Sequence, residues 1–126
     1  MRYDIKGGKV LSIAAYGEPP TNSQGGVAGG SSTLIISIET TSKGQLTIAM
    51  PREIIDSMIN GYDDGFFVLI NETEAQHDEI SDSKTRTLTI PFARETDKIE
   101  VLGHGYYKEG LPMLPVSGIS YSPKLQ

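Results

Sequence analysis

Acidic side chains gather where this chain turns. Asp56, Asp63 and Asp64 flank Asn60-Gly61, and Glu72, Glu74, Asp78, Glu79 and Asp82 follow within one polar stretch. Calcium takes about six to eight oxygen ligands from loops of this kind. Asp56, Asp63, Asp64, Asp78 and Asp82 are therefore candidate calcium ligands, with a solvated acidic rim as the alternative reading of the same residues. EF-hand spacing is absent. His77 and His104 stand far apart, and neither has a second ligand at the short spacing that zinc sites use. The chain has no cysteine, which removes disulfides, thiolate metal sites and a thiol nucleophile together. No G-x-S-x-G elbow, P-loop or dinucleotide fingerprint is present, so no catalytic residue and no organic cofactor is expected. Asn71-Glu72-Thr73 is a glycosylation sequon, relevant in an exported protein. Tyr16, Tyr62, Tyr106, Tyr107 and Tyr121 are candidates for a carbohydrate platform, although tyrosines half-buried in a core fit the same positions and there is no tryptophan.

Charge narrows the partners. Eleven Lys+Arg against sixteen Asp+Glu leave a net −5, which argues against binding a phosphate backbone. At 126 residues, with 37% hydrophobic and 21% charged residues, the chain suits one globular domain spanning 1–126. No apolar run approaches the ~20 residues of a membrane-spanning helix, so no membrane insertion of this segment is expected. Met1-Arg2-Tyr3-Asp4 lacks the apolar stretch of a signal peptide, as either a cytosolic protein or an excised mature domain would.

The elements that must position these residues read as strands. Fourteen glycines and seven prolines punctuate short apolar–polar alternations. Gly7-Gly8 separates Tyr3–Lys6 from a strand over Lys9–Tyr16. Glu18–Ser32 carries almost nothing that packs and reads as a long flexible loop. Thr33–Thr41 alternates, with Leu34, Ile36 and Ile38 on one face. Ser42-Lys43-Gly44 then predicts a hairpin turn, and Gln45–Met50 returns with Leu46, Ile48 and Met50 inward. Pro51, followed by Ile54, Ile55, Met58 and Ile59 at helical spacing, predicts a short amphipathic helix over Pro51–Ile59, stopped by Asn60-Gly61. Phe66–Asn71 reads as a central strand and Glu72–Ser83 as a weak edge. Thr85–Phe92 alternates Thr87 and Thr89 against Leu88, Ile90 and Phe92, and Lys98–Gly103 adds Ile99 and Val101. The tail over 105–126 holds enough apolar content for another strand. With about six to eight short strands and one short helix, the economical architecture is an immunoglobulin-like antiparallel β-sandwich. Its expected core is Leu34, Ile36, Ile38, Leu46, Ile48, Phe66, Val68, Leu88, Ile90, Ile99 and Val101. The register of Phe66–Ile70 stays open, because both of its faces are apolar.

The succession Leu34–Glu39, Gly44-Gln45-Leu46-Thr47-Ile48, Pro51-Arg52-Glu53-Ile54-Ile55-Asp56 and Asp63-Asp64 before Phe66-Phe67-Val68-Leu69 resembles a stretch of archaeal surface proteins. These are exported proteins of ammonia-oxidising archaea that end in a PEFG-type sorting tail. Thr85-Arg86-Thr87-Leu88-Thr89-Ile90-Pro91-Phe92 and Lys98-Ile99-Glu100-Val101-Leu102-Gly103 continue the resemblance. The sorting tail and anchoring helix are not present in this chain. The resemblance implies an extracellular or cell-surface β-sandwich and transfers no site residues. Strand pattern, acidic surface and resemblance together lead to a non-enzymatic structural, adhesion or assembly domain, with other surface proteins or further copies of itself as partners. The alternative is a calcium-dependent or carbohydrate-binding module, and a small enzyme is the remainder. Residues 111–122, apolar yet interrupted by Pro112 and Pro115, are the expected self-association element, or else fold back on their own domain.

Overall fold

The computed structural model of the chain describes residues 1–18 and 31–104. Nine strands organise these residues: β1 (Arg2–Glu18), β2 (Ser31–Pro51), β3 (Met58–Ile59), β4 (Tyr62–Asp63), β5 (Phe67–Ile70), β6 (Thr73–Ala75), β7 (Asp78–Ser81), β8 (Thr85–Phe92) and β9 (Lys98–His104). The main sheet runs β6-β5-β9-β2-β8-β7, with β1 paired to β2, and β3–β4 forms a separate hairpin. Every pairing is antiparallel.

β2 organises the fold. Its first half, Ser31–Ser37, pairs with β9, and its second half, Gly44–Pro51, pairs with β8. β1 follows β2 from Glu18↔Ser31 to Arg2↔Ala49. Side chains alternate across a strand, and the even positions Leu34, Ile36, Ile38, Leu46, Ile48 and Met50 are all buried. One face of β2 is therefore the inner face in both of its halves, interrupted over 40–44, where Ser42 is exposed. Leu88, Ile90 and Phe92 on β8, Ile99 and Val101 on β9, Val68 on β5 and Phe66 just before it join it in one apolar cluster. A sheet whose two halves line the same core has to curl over itself. The observed architecture is thus a curled, mainly antiparallel β sheet.

β1 adapts to this curl through two register shifts, between Lys6 and Gly8 and between Val10 and Ser12. Each shift exchanges its inward parity, so that Tyr3 and Ile5, then Val10, then Ile13 and Ala15, all turn towards the core. At the first shift the two backbones nearly touch. Gly7 has φ 90°, and a Cβ there would lie 2.7 Å from the Lys43 carbonyl oxygen. A Cβ on Gly44 would run into the Lys6 carbonyl. Both glycines serve close approach.

All eleven expected core residues are buried, and Phe66 and Val68 face inward while Phe67 is exposed. Several local expectations need correction. Ser42-Lys43-Gly44 is not a hairpin turn: β2 continues through it, and the flanking segments pair with β1 rather than with each other. Gly7-Gly8 likewise lies inside one strand. No helix forms over Pro51–Ile59. The amides of Ile54 and Ile55 both reach the Pro51 carbonyl, at 2.9 and 3.2 Å, and the coil stops after that turn. So short a helix carries its nucleation cost over few hydrogen bonds. The predicted central strand is second from an edge, flanked by β9 and the three-residue β6. The polar stretch expected as one weak edge supplies two, β6 and β7. Residues 19–30 of the predicted loop, and the tail over 105–126 with Tyr106, Tyr107 and Tyr121, lie outside the described residues.

Candidate functional site

The densest set of chemically active side chains lies at one end of the sheet, on the segment from Pro51 to Phe66. After the single turn, Ile55 plugs the core at 0% exposure, and the chain crosses from the end of β2 to the end of β9. Asp56 and Ser57 are buried in this crossing, at 4% and 0% exposure. A Cβ on Gly103 would collide with the Asp56 carbonyl and lie 2.9 Å from the Phe66 ring, so the crossing is seated directly on β9. The β3–β4 hairpin then projects. Asn60 and Gly61, at φ 55° and 83°, make the two-residue primed turn that Asn-Gly favours. These residues turn a hairpin rather than stop a helix.

Arg86 is the hub. It enters from β8 on the inward parity shared with Leu88 and Ile90 and is 2% exposed. A buried guanidinium is tolerated only when its donors are satisfied. Nη1 donates to Asp56 Oδ1 at 2.8 Å and to the Ser57 carbonyl at 2.7 Å. Nη2 donates to the Asp64 carbonyl at 2.6 Å, and Nε to Glu79 Oε2 at 2.6 Å. Its carbon lies 4.5 Å from the Phe66 ring centroid, a stacked cation–π contact. Burial opposes the charge, and the hydrogen bonds to Glu79 and Asp56 more than offset it, holding the guanidinium above its ordinary pKa.

Arg52 adds a second, more exposed clamp. It grips Asp63 with both terminal nitrogens, at 2.8 and 2.9 Å, reaches Asp56 at 3.2 Å, and donates from Nε to the Asp82 carbonyl at 3.0 Å. The two-pronged geometry is the one in which guanidinium and carboxylate pair best. Nearby, His104 Nδ1 lies 2.6 Å from Asp64 Oδ2, and the Ser57 hydroxyl accepts the His104 amide at 3.0 Å.

The candidate calcium ligands divide. Asp56, Asp63 and Asp64 come together at this end, each beside a basic partner: Asp56 between the two arginines, Asp63 in the fork of Arg52, and Asp64 against His104. Asp82 sits near them, but its carboxylate caps the next turn, accepting the Lys84 and Thr85 amides at 2.8 Å each. Asp78 lies away from them at the other end of β7, opposite Thr89. Among the described residues, no group of three or more His, Asp or Glu side chains is arranged to hold a metal ion. Asn71, the glycosylation candidate, turns β5 into β6 at φ 48°. Its Nδ2 donates to the Glu95 carbonyl at 3.1 Å and its Oδ1 accepts the Asp97 and Lys98 amides at 2.9 and 3.1 Å. Tyr16 and Tyr62 are exposed, at 40% and 77%.

Two carboxylates at this end are shifted in their titration by the groups that hold them. The hydrogen bond from Arg52 holds Asp63 below the ordinary carboxylate range, and the Lys84 and Thr85 amides do the same for Asp82. Their stabilising contribution is present above the unfolded pKa and is lost as pH falls through the lower, folded one. The melting temperature is therefore expected to decline as the solution is acidified below about pH 4, and less steeply in Asp63→Asn. Equal acid slopes in the two proteins would show that the Arg52 fork contributes nothing in solution.

Arg52, Arg86 and Glu79 were not among the candidates, although the alternation of Thr85–Phe92, extended one step towards its start, places Arg86 on the buried face. That position is the signal: an arginine in register with core residues requires buried acceptors. Compared with known protein families, curated proteins and solved structures, the chain matches none.

Proposed function

We propose that the chain is an immunoglobulin-like β-sandwich module that works at a cell surface or outside the cell as a structural, adhesive or assembly unit, without catalysis. One observation carries the reading. The concentrated charges are largely engaged with each other: Arg86 and Arg52 pair with Asp56, Asp63 and Glu79 and draw in the Ser57, Asp64 and Asp82 carbonyls. Such a cluster fixes a loop and presents a hairpin, and its work is geometric. The curled sheet over a single core and the resemblance to archaeal surface proteins support the same reading. A module of this kind acts through contacts made by its outer surface. Sedimentation velocity over rising concentration tests it. Reversible self-association is expected, and a strict monomer up to about 1 mM, where even weak contacts of ~4 kcal/mol register, would overturn assembly by self-contact.

The calcium-dependent alternative is judged by a separate measurement. Asp56 and Asp63 already hold guanidinium groups, so an ion would have to displace a bidentate arginine pair. Millimolar calcium is expected to leave the melting temperature unchanged, since a ligand stabilises only when it binds the folded state. A rise that disappears in Asp63→Asn would favour the calcium module instead.

A further inference from the structure

We propose that Asn60 is a site of self-modification: its side chain condenses with the Gly61 amide and ends as an aspartyl or isoaspartyl residue, which alters the β3–β4 turn. Asparagine is among the thermolabile residues, and this reaction needs a following amide that can reach the side-chain carbonyl. Glycine leaves that amide uncovered. A Cβ at Gly61 would find nothing within 4 Å, so neither a side chain nor packing stands over the backbone nitrogen. Asn60 and Gly61 are both exposed, and among the described residues the Asn60 carboxamide makes no hydrogen bond. Two pairs alone close the turn, Ile59↔Tyr62 and Met58↔Asp63. So short a ladder opens far more readily than the main sheet. The turn, at φ 55° and 83°, is then free to reach the geometry of attack.

The chain contains its own comparison. Asn71 also begins a turn at positive φ, 48°, yet its carboxamide is tied down at both ends. Nδ2 donates to the Glu95 carbonyl, Oδ1 accepts the Asp97 and Lys98 amides, and the next residue is Glu72 rather than glycine. Freeing that carboxamide means breaking three hydrogen bonds, enough to slow the same reaction about a hundredfold. Two asparagines in similar turns therefore differ in reactivity because of what the fold does to their side chains.

Water is the only co-reactant. The Gly61 nitrogen gives up its proton and attacks Asn60 Cγ. The Cγ–Nδ2 bond breaks, and Nδ2 leaves as ammonia with a proton returned by solvent. Water then opens the cyclic imide. Attack at the side-chain carbonyl gives aspartate; attack at the main-chain carbonyl gives isoaspartate, whose backbone is longer by the side-chain methylene. Either product takes the net charge from −5 to −6. The longer backbone does not fit a two-residue primed turn. The isoaspartyl form therefore gives up the hairpin pairs and, with them, the grip of Arg52 on Asp63.

Incubation of the folded, intact protein in warm, mildly alkaline buffer tests this, followed by peptide mapping in a mass spectrometer and labelling with an isoaspartyl methyltransferase. The Asn60 peptide should exchange NH2 for OH and take the label, and the Asn71 peptide should react about a hundredfold more slowly. The isoaspartyl species, separated by its added charge, should show the shallower acid slope expected of Asp63→Asn. Asn60→Gly keeps a pair suited to the primed turn and should give no acidic species from this site. An Asn60 that survives in the folded protein while the urea-unfolded chain reacts would overturn the proposal, as would equal rates at Asn60 and Asn71. An isoaspartyl form with the acid slope of the unaltered protein would overturn the coupling of turn to fork.

Discussion

Replacing Arg86 by alanine is expected to remove about 3–5 kcal/mol of stability, the cost of breaking a buried ion pair by deleting one partner. The loss arises from what stays behind. Asp56, 4% exposed, and the half-buried Glu79 would keep their charges without the guanidinium, and the Ser57 and Asp64 carbonyls would lose a charged donor. Phe66 would also lose the cation stacked on it. Arg86→Lys should fall between the two, because one ammonium keeps the charge but cannot reproduce a planar fork that reaches four oxygens. Urea unfolding measures both variants. If Arg86→Ala stays within ~1 kcal/mol of the unaltered protein, the cluster is wetter than its burial indicates and holds the crossing segment only weakly.

The second large effect is in the apolar cluster. Ile36 and Ile90 are each 0% exposed, one on the half of β2 that pairs with β9, the other on β8. Truncation of either to alanine should cost ~2–5 kcal/mol, combining lost burial with the cavity left in a well-packed core. Two neutral results in denaturant melts would refute the inward register of both strands.

The residues that made the sheet legible are those with one dry face. Leu34, Ile36 and Ile38, then Leu88 and Ile90, then Ile99 and Val101 alternate with polar or half-exposed neighbours, and a period of two can be read without any partner strand. The remainder depended on distant residues. Gly44 looks locally like a turn glycine. Only the approach of Lys6 and Gly7, far away in sequence, shows that it keeps a strand from colliding with its neighbour. Ile54, Ile55, Met58 and Ile59 carry helical spacing by coincidence. Asp56 and Ser57 between them are drawn to Arg86, and that demand outweighs a weak local preference. The acidic candidates are grouped in the sequence by proximity along it. Arg52, a basic residue just after β2, gathers Asp56 and Asp63, while Asp78 stays with its edge strand.

The sharing of β2 between both halves of the sheet has a consequence for how the molecule comes apart. A fold made of two separately paired sheets can open one of them and keep the other, exposing a stretch of chain to a protease or to solvent exchange. Here β2 forms ladders with β1, β8 and β9 at once, and the inner side chains of both its halves belong to one cluster. Stripping away either half leaves the remaining part of β2 with an uncovered apolar face. Partial opening therefore costs nearly as much as complete unfolding. Digestion of the sheet should then follow the rare global event rather than local breathing.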